Sequence, residues 1–391
     1  MKNEIINNNC AYYVFDSDVL LERVKYLKQS LPKNVSLCYA VKANTFIIKE
    51  LIGCVERFEV CSPGEAEICT ELGVPDGDTV ISGVYKTPCV IEKMVAEHSE
   101  RIFTVESLVQ FDLLNSLANK YQTTLKVLLR LTNDSQFGMN SDDIERIIAK
   151  RESFMNLDIH GIQYFSGTQK TSIKRFRREI EKLDSFLSKL REEYGFESKE
   201  LEYGSGFPVA YFEDEDVNEE ELFKGFSKLI ENMENKVPVI LELGRSISAS
   251  CGSYFTHIVD IKRNKGQNYV LIDGGMHHIV YFGQHMAMKH PHFSVVGKEN
   301  EPIKDEWNIC GSLCSMNDIV VKLAPLPEIK LGDILCFKNT GAYCMTEGIS
   351  LFLSREIPSV YIKKGDEYIL VRESFETSKL NKPNYQLIER K

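Results

Sequence analysis

Hydrophobic and polar positions alternate in blocks along the first two thirds of the chain. Short apolar runs rich in β-branched and aromatic residues occur at 35–41, 58–61, 79–82, 102–105, 125–131, 159–165, 201–203 and 238–242. Longer amphipathic stretches separate them. The clearest lies between the sixth and seventh runs, where Ile173, Phe176, Ile180, Leu183, Leu187, Leu190 and Tyr194 recur at steps of three and four, with Arg, Lys and Glu between them. Eight strands with helical crossovers in about 210 residues predict a (β/α)8 barrel.

After Cys251 the pattern changes. Runs at 254–261, 269–272, 319–323, 334–337, 359–362 and 368–371 are strand-like and separated by Gly, Pro, Asn and Asp, with little helical periodicity. They predict a second, all-β domain, a sandwich or barrel. A strand at 11–15 and a helix at 18–29 precede the barrel, and that strand could join either domain. The expected division is therefore 1–29, 30–250 for the barrel and 251–391 for the β domain.

Composition narrows the function classes. The 391 residues suffice for two domains and a large core, and 43% hydrophobic with 27% charged is ordinary for a soluble globular protein. A net charge of −10 argues against nucleic acid and anionic membranes as partners. No apolar run approaches the roughly 18 residues that span a bilayer. Met1-Lys2-Asn3-Glu4 leads into Asn7-Asn8-Asn9 and not into an apolar segment, so no signal peptide is expected. Eleven cysteines without CxxC pairing, several inside apolar strands, suit reduced thiols in the cytoplasm better than disulfides or zinc.

Barrel active sites collect at the carboxy-terminal ends of the strands, so the residues that follow each run carry the candidate chemistry. Lys42 follows the first, in Cys38-Tyr39-Ala40-Val41-Lys42-Ala43-Asn44-Thr45. A lysine at the mouth of an apolar strand is partly desolvated, which favours the free amine that attacks a carbonyl. Glu59 to Glu65 span the end of the second run, and Arg130 closes the fifth. Tyr164-Phe165-Ser166-Gly167-Thr168-Gln169 closes the sixth, Gly204-Ser205-Gly206-Phe207-Pro208 the seventh and Glu242-Leu243-Gly244-Arg245-Ser246 the eighth. The two glycine-containing loops offer backbone N–H groups to an anion, and Thr168 could add a hydroxyl. Barrel phosphate sites commonly form after strands seven and eight. A reactive lysine, a phosphate cradle and a carboxylate, Glu242, for a ring nitrogen are the parts that pyridoxal phosphate requires. Each feature alone has a plainer reading: a surface lysine, structural turns, a small core cysteine.

Taken together the motifs resemble the fold-type III pyridoxal-phosphate-dependent decarboxylases, the group of bacterial ornithine, arginine and diaminopimelate decarboxylases. The likeness rests on Tyr39-Ala40-Val41-Lys42-Ala43-Asn44, Glu59-Val60-Cys61-Ser62-Pro63-Gly64-Glu65, Gln136-Phe137-Gly138, Gly204–Pro208 and Glu242–Arg245. Downstream it includes Gly311-Ser312-Leu313-Cys314-Ser315-Met316-Asn317-Asp318 and Gly341-Ala342-Tyr343. The resemblance implies that Lys42 holds the cofactor, Glu242 pairs with its protonated ring nitrogen, and Gly206, Gly244, Arg245, Thr168 and Tyr343 hold its phosphate. Arg130, Phe165, Gly204 and Ser205 complete the implied cofactor-binding set. Cys314 is implied to reach into a partner subunit's site and protonate the carbanion left by CO2. Asp318, Ser315, Arg245 and Tyr343 are the implied substrate contacts. A homodimer with shared sites follows from the same likeness.

The sequence departs from the family in three places. Phe165 stands where a ring-stacking histidine is usual. Ser315 follows Cys314 where diaminopimelate decarboxylases usually carry glutamate. The usual three-glycine phosphate loop reads Gly204-Ser205-Gly206. The segments 273–278, 281–289, 166–169, 346–348 and 354–355 are similar to a biosynthetic branch. That branch includes the butirosin-pathway decarboxylase of a glutamyl group on an acyl carrier protein, and siderophore-pathway decarboxylases. His277 and His278 lack carboxylate or cysteine partners at ligand spacing, so a structural or substrate-pocket role is expected and no metal. The expected function is decarboxylation of an α-amino acid or an amino-acyl conjugate. The alternatives are free diaminopimelate, ornithine, lysine or arginine as substrate, a non-catalytic regulatory homologue, and a racemase on the same barrel. A carrier-protein partner would need a local basic patch, for which Arg175, Arg177 and Arg178 are candidates against the plainer reading of a solvated helix face.

Overall fold

The computed structural model describes residues 10–384. The Asn run near the amino terminus, with the expectation of no signal peptide, lies outside these residues. Two compact units emerge. One comprises residues 21–209 and 217–247; the other comprises residues up to 20, 210–216 and from 248 onward.

The first unit is a closed parallel barrel of eight strands. They are β2 (Val35–Ala40), β3 (Arg57–Val60), β4 (Thr79–Ile81), β5 (Ile102–Val105), β6 (Leu125–Leu131), β7 (Leu157–Phe165), β8 (Glu200–Gly204) and β9 (Val239–Leu243). Closure is made by β2 against β9, from Val35↔Val239 to Tyr39↔Leu243. All eight predicted strands are present. Cys38, Val80, Ile102, Leu128 and Ile240 form a buried apolar cluster. Strand residues two apart share a face, so Glu242 stands one layer beyond Ile240 toward the carboxy-terminal end. The core thus has an apolar layer with polar residues stacked above it, and those polar residues are the chemistry-bearing ones.

The helices follow from local sequence. Ser62 accepts from the Glu65 backbone N–H at 3.2 Å and Pro63 opens the helix Pro63–Glu71. Ser107 caps the helix Leu108–Tyr121 by accepting from Gln110, and the Gln110 side chain in turn accepts from the Glu106 N–H. The long predicted helix spans Ile173–Tyr194, buries Phe176, Ile180, Leu183, Leu187 and Leu190, and ends on Gly195 in the left-handed conformation. The helix expected at 18–29 is Ser17–Ser30.

The second unit is built on a nine-stranded sheet among the described residues. Its path is β14 (Ile319–Leu326), β13 (Asp305–Cys310), β11 (Gln267–Ile272), β10 (Gly252–Asn264), β1 (Tyr12–Asp16), β17 (Ser359–Lys364) and β18 (Glu367–Arg372). Off this path, β15 (Ile334–Lys338) pairs with β10, and β12 (Phe293–Val295) pairs with β15. Strand β1 pairs antiparallel with β10 and parallel with β17, which assigns it to this sheet. Strands β12 and β13 did not stand out in the sequence. β13 is interrupted by Asn308 between Trp307 and Ile309, and β12 is three residues long. A small second sheet pairs β16 (Glu356–Ile357) with β19 (Phe375–Glu376).

Candidate active site

Lys42 lies in a single 3-10 turn, Val41–Ala43, directly after β2. Tyr39 and Asn44 fix that turn. The Tyr39 hydroxyl donates to the Asn44 carbonyl at 2.9 Å, and the Asn44 side chain accepts from the Phe46 N–H at 2.9 Å. The lysine is partly desolvated, in line with its place at the mouth of an apolar strand. Its side chain is 38% exposed and its Nζ faces two buried carboxylates, Glu59 at 2.7 Å and Glu242 at 3.2 Å. Cys61 closes this group, with its Sγ 3.6 Å from Lys42 Nζ and 3.0 Å from Glu59 Oε1.

The two carboxyls are driven apart. Burial pushes Glu59 up, but the Lys42 charge and hydrogen bonds from Lys42 and Cys61 outweigh it and hold the group below its usual range. Burial, with the adjacent Glu59 charge, holds Glu242 above its usual range. Such a pair shares its protons as a unit. Glu59 is the residue sequence reasoning missed as a lysine partner. Its signal was available, since it lies near the end of the second barrel strand, in register with Ala40 of the strand that leads into Lys42.

Arg130, on β6, is buried and paired with Glu106 at 2.9 Å. Its guanidinium lies 5.0 Å from the Phe137 ring centroid, within cation–π range. Lys86, in the loop after β4, is also buried and donates to the Gly83 carbonyl at 3.0 Å; burial brings it down to about 8.

The loops after β7 and β8 are locked together. Lys170 N–H donates to the Gly206 carbonyl at 3.0 Å, and Gln169 both donates to and accepts from Val209. Beneath them the buried Lys170 ammonium reaches Glu179 at 2.7 Å and Ser166 Oγ at 2.8 Å, while the Tyr203 hydroxyl donates to Glu179 at 2.5 Å. Gly206 has φ +63°, and a Cβ there would stand 2.0 Å from the Gly167 carbonyl oxygen. A Cβ on Gly204 would stand 2.4 Å from the Phe165 ring. The glycines therefore let two loops approach each other and let Phe165 lie over β8. Ser205 Oγ is fully buried here without a hydrogen-bond partner among the described residues. Thr168 is half-buried in the same pair of loops. Gly244 and Arg245 follow β9, and Arg245 is buried.

These features fit pyridoxal phosphate. A glycine-lined cradle with an orphaned hydroxyl suits a phosphate, Lys42 offers an amine that would take up a carbonyl, and Glu242 is a buried carboxylate that would suit a ring nitrogen. When bound, that cofactor supplies an electron sink for charge released at the substrate's α-carbon. No group of three or more metal-ligating side chains occurs among the described residues.

The second unit carries the remaining sequence candidates. Cys314 is exposed and Ser315 half-buried in the loop between β13 and β14. Asp318 is 2% exposed, and its carboxylate accepts from the Met276 and Leu313 N–H groups at 2.7 Å each. It thereby staples and shapes the Cys314 loop. Tyr343 has φ +64°, a conformation rare for a bulky residue. His278 has ring nitrogens 3.0 Å from the Tyr254 hydroxyl and 2.7 Å from the Glu356 carbonyl, a structural setting. His277 is buried against it, and burial lowers it to about 3.

Comparison with known proteins agrees with this chemistry. Residues 17–249 match the family model for the pyridoxal-dependent decarboxylases, pyridoxal binding domain. The chain is 27% identical over 349 residues to diaminopimelate decarboxylase of Aquifex aeolicus, covering 85% of this chain and 81% of that one. It is 24% identical over 391 residues to the L-glutamyl-[BtrI acyl-carrier protein] decarboxylase of Niallia circulans, covering 92% and 90%. The fold matches the crystal structure of Helicobacter pylori diaminopimelate decarboxylase complexed with L-lysine, with a TM-score of 0.85 at 20% identity, covering 97% of this chain and 98% of that one. No helix among the described residues is long and apolar enough to cross a membrane. The family model spans more than half of the chain, the barrel it describes is the barrel seen here, and this protein belongs to the pyridoxal-dependent decarboxylases.

Proposed function

We propose that the protein removes the α-carboxylate of an amino acid or amino-acyl conjugate, with Lys42 as the residue that holds the cofactor. The observation that carries this reading is the position of Lys42 Nζ between Glu59 and Glu242 at the barrel mouth. Glu242 would hold the ring-nitrogen proton. Glu59 would orient the lysine and take up charge as its amine changes state. Ser205, Gly206, Thr168, Gly244, Arg245 and Tyr343 would bind the phosphate, and Phe165 would offer its ring face to the cofactor ring. Arg130 and Gly204 would complete the binding surface.

The last proton goes to the α-carbon. Cys314, an exposed thiol on a loop stapled by Asp318, would deliver it from a second copy of the chain. A homodimer with shared sites is therefore part of the proposal, as is a cytoplasmic setting for its unpaired thiols.

For the substrate, a conjugated or carrier-held amino-acyl group is the better reading. Ser315 replaces the glutamate usual beside the cysteine of diaminopimelate decarboxylases, and the Niallia circulans relative is named for a carrier-bound glutamyl group. Free diaminopimelate, ornithine, lysine or arginine is the alternative within the class. The retained Lys42, Glu242 and Cys314 speak against a non-catalytic homologue. The test is CO2 release from cofactor-loaded protein offered each free amino acid and, separately, a glutamyl group on an acyl carrier protein. Release only from the carrier-linked group supports the conjugate reading, and rapid release from one free amino acid overturns it.

A further inference from the structure

Below the mouth of the barrel the interior holds more carboxyls than cations can neutralise. Glu59, Glu200, Glu202 and Glu242 stand near one another, and all four are buried. Lys42 serves Glu59 and Glu242. Arg57, from β3, directs both terminal nitrogens of its fork at Glu200, at 2.5 and 2.7 Å. Arg130 is engaged by Glu106. Glu202 is left with Arg57 Nη1, already bonded to Glu200, at 3.6 Å from its Oε2, and one amide hydrogen bond, from Gln163 Nε2 to Oε1 at 3.0 Å.

Glu202 and Gln163 are both 0% exposed. They face each other in register across β7 and β8. Each retains one buried oxygen, Glu202 Oε2 and Gln163 Oε1, without a hydrogen-bond partner among the described residues. Both orphans are acceptors, so what this place lacks is a donor. A proton on Glu202 supplies it. A carboxylic acid and a primary amide already joined by N–H···O can close a second bond from acid O–H to amide oxygen. An ionised Glu202 would instead be a buried charge whose nearby cation, Arg57, is already committed to Glu200, a cost that protonation removes.

We propose that Glu202 is a neutral, proton-bearing acid beneath Glu242, a positioning residue that keeps the interior's negative charge on Glu242. Glu242 already resists ionisation through burial and the Glu59 charge. A third anion within the same space would raise it further and weaken its hold on a ring-nitrogen proton. Burial, then the Glu242 charge, pushes Glu202 up to about 8, against the pull of Arg57 and with Glu200 and Glu59 adding to the rise. Cys38, on β2, also faces the group and stays a thiol, its ionisation suppressed by burial and by the Glu242 and Glu59 charges. The proton on Glu202 therefore survives at neutral pH and leaves as the solution becomes alkaline.

The protonation state of Glu202 belongs to the chain itself and can be tested without cofactor or turnover. The folded protein keeps a proton that the unfolded chain releases above about pH 4.3. Stability from this group is complete below that value and is lost as pH rises through about 8. Urea unfolding of cofactor-free wild type and Glu202→Gln, a neutral mimic of the acid, should show their folding constants diverging with pH. Wild type should fall relative to the variant by up to about tenfold per pH unit between pH 5 and 8. Infrared difference spectra should show a protonated-carboxyl C=O band in wild type at pH 7 that Glu202→Gln lacks. Loaded with pyridoxal phosphate, Glu202→Gln should keep its affinity within about threefold while Glu202→Asp, which withdraws the carboxyl from Gln163, should not. A flat pH difference, or no such band at pH 7, overturns the proposal. Should Glu202→Gln not fold, infrared titration of wild type carrying 13C-labelled glutamate decides it: a carboxyl protonating near pH 8 supports it, and none above pH 6 overturns it. A protein that proves not to be a decarboxylase leaves these readouts intact.

Discussion

Glu59 Oε2 lies 2.7 Å from Lys42 Nζ, closer than Glu242 Oε1 at 3.2 Å. The lysine is thus oriented chiefly by the strand next to its own, β3, and shared with the strand on the other side, β9. Two carboxyls with opposite tendencies flank one amine. On the proposed reading that separates the tasks: one group would steady the lysine and the other would face a ring nitrogen.

Glu242→Gln should still bind pyridoxal phosphate, because Lys42 and the phosphate loops remain. Turnover should fall by about 10²-fold or more, since the charge that holds the ring-nitrogen proton is gone. Retention of the cofactor's visible absorbance with loss of CO2 release is the expected pair of results. Wild-type turnover in this variant contradicts the role.

Glu59→Gln should loosen Lys42 and slow its attachment to the cofactor, read as the rate at which the visible band forms on reconstitution. Its pH signature has a definite sign. Glu59 sits below its usual range, so its contribution to stability is present above about pH 4.3 and is lost as pH falls through its lower folded value. Cofactor-free wild type should therefore lose its advantage over Glu59→Gln on acidification below about pH 4.3, and urea midpoints measured from pH 6 to 3 check it.

Gly206→Ala forces a Cβ to 2.0 Å from the Gly167 oxygen at a left-handed backbone position. The conformational term alone is about 1–2 kcal/mol, and the clash displaces the loop. Cofactor affinity should drop more than barrel stability does. Equilibrium dialysis with pyridoxal phosphate, beside urea unfolding of the cofactor-free protein, separates the two.

Much of this was legible in the chain. The eight barrel strands announced themselves because strands covered on both faces read as continuous apolar runs, as at 102–105 and 125–131. Lys42, Glu242 and the Gly204–Gly206 loop stood out because they follow strands and because their motifs are similar to a known family. The interior polar layer did not. Arg57 and Glu200 are 143 residues apart, each at the start of a strand, where a charge reads as a solvated flank. Only closure of the barrel turns both inward. Nor does the sequence reveal that two backbone N–H groups, Met276 and Leu313, converge on Asp318. β13 was hidden by the polar Asn308, whose side chain donates to the Asn268 carbonyl of β11 at 3.2 Å.

Cys314→Ala should leave the cofactor's absorbance unchanged and lower CO2-coupled product formation at least about tenfold, with the α-carbon proton delivered less selectively. Product made in deuterated water and read by NMR checks both effects. An unchanged rate and an unchanged stereochemical label remove Cys314 from the mechanism.

The most direct test of the central claim is CO2 release by cofactor-loaded wild type and Lys42→Ala, offered free diaminopimelate, ornithine, lysine, arginine and glutamate, and a glutamyl group on an acyl carrier protein. The account predicts release by wild type from the carrier-linked group and none from Lys42→Ala. Equal release by the two proteins, or none by wild type from any α-amino acid in either form despite an intact visible band, would contradict it.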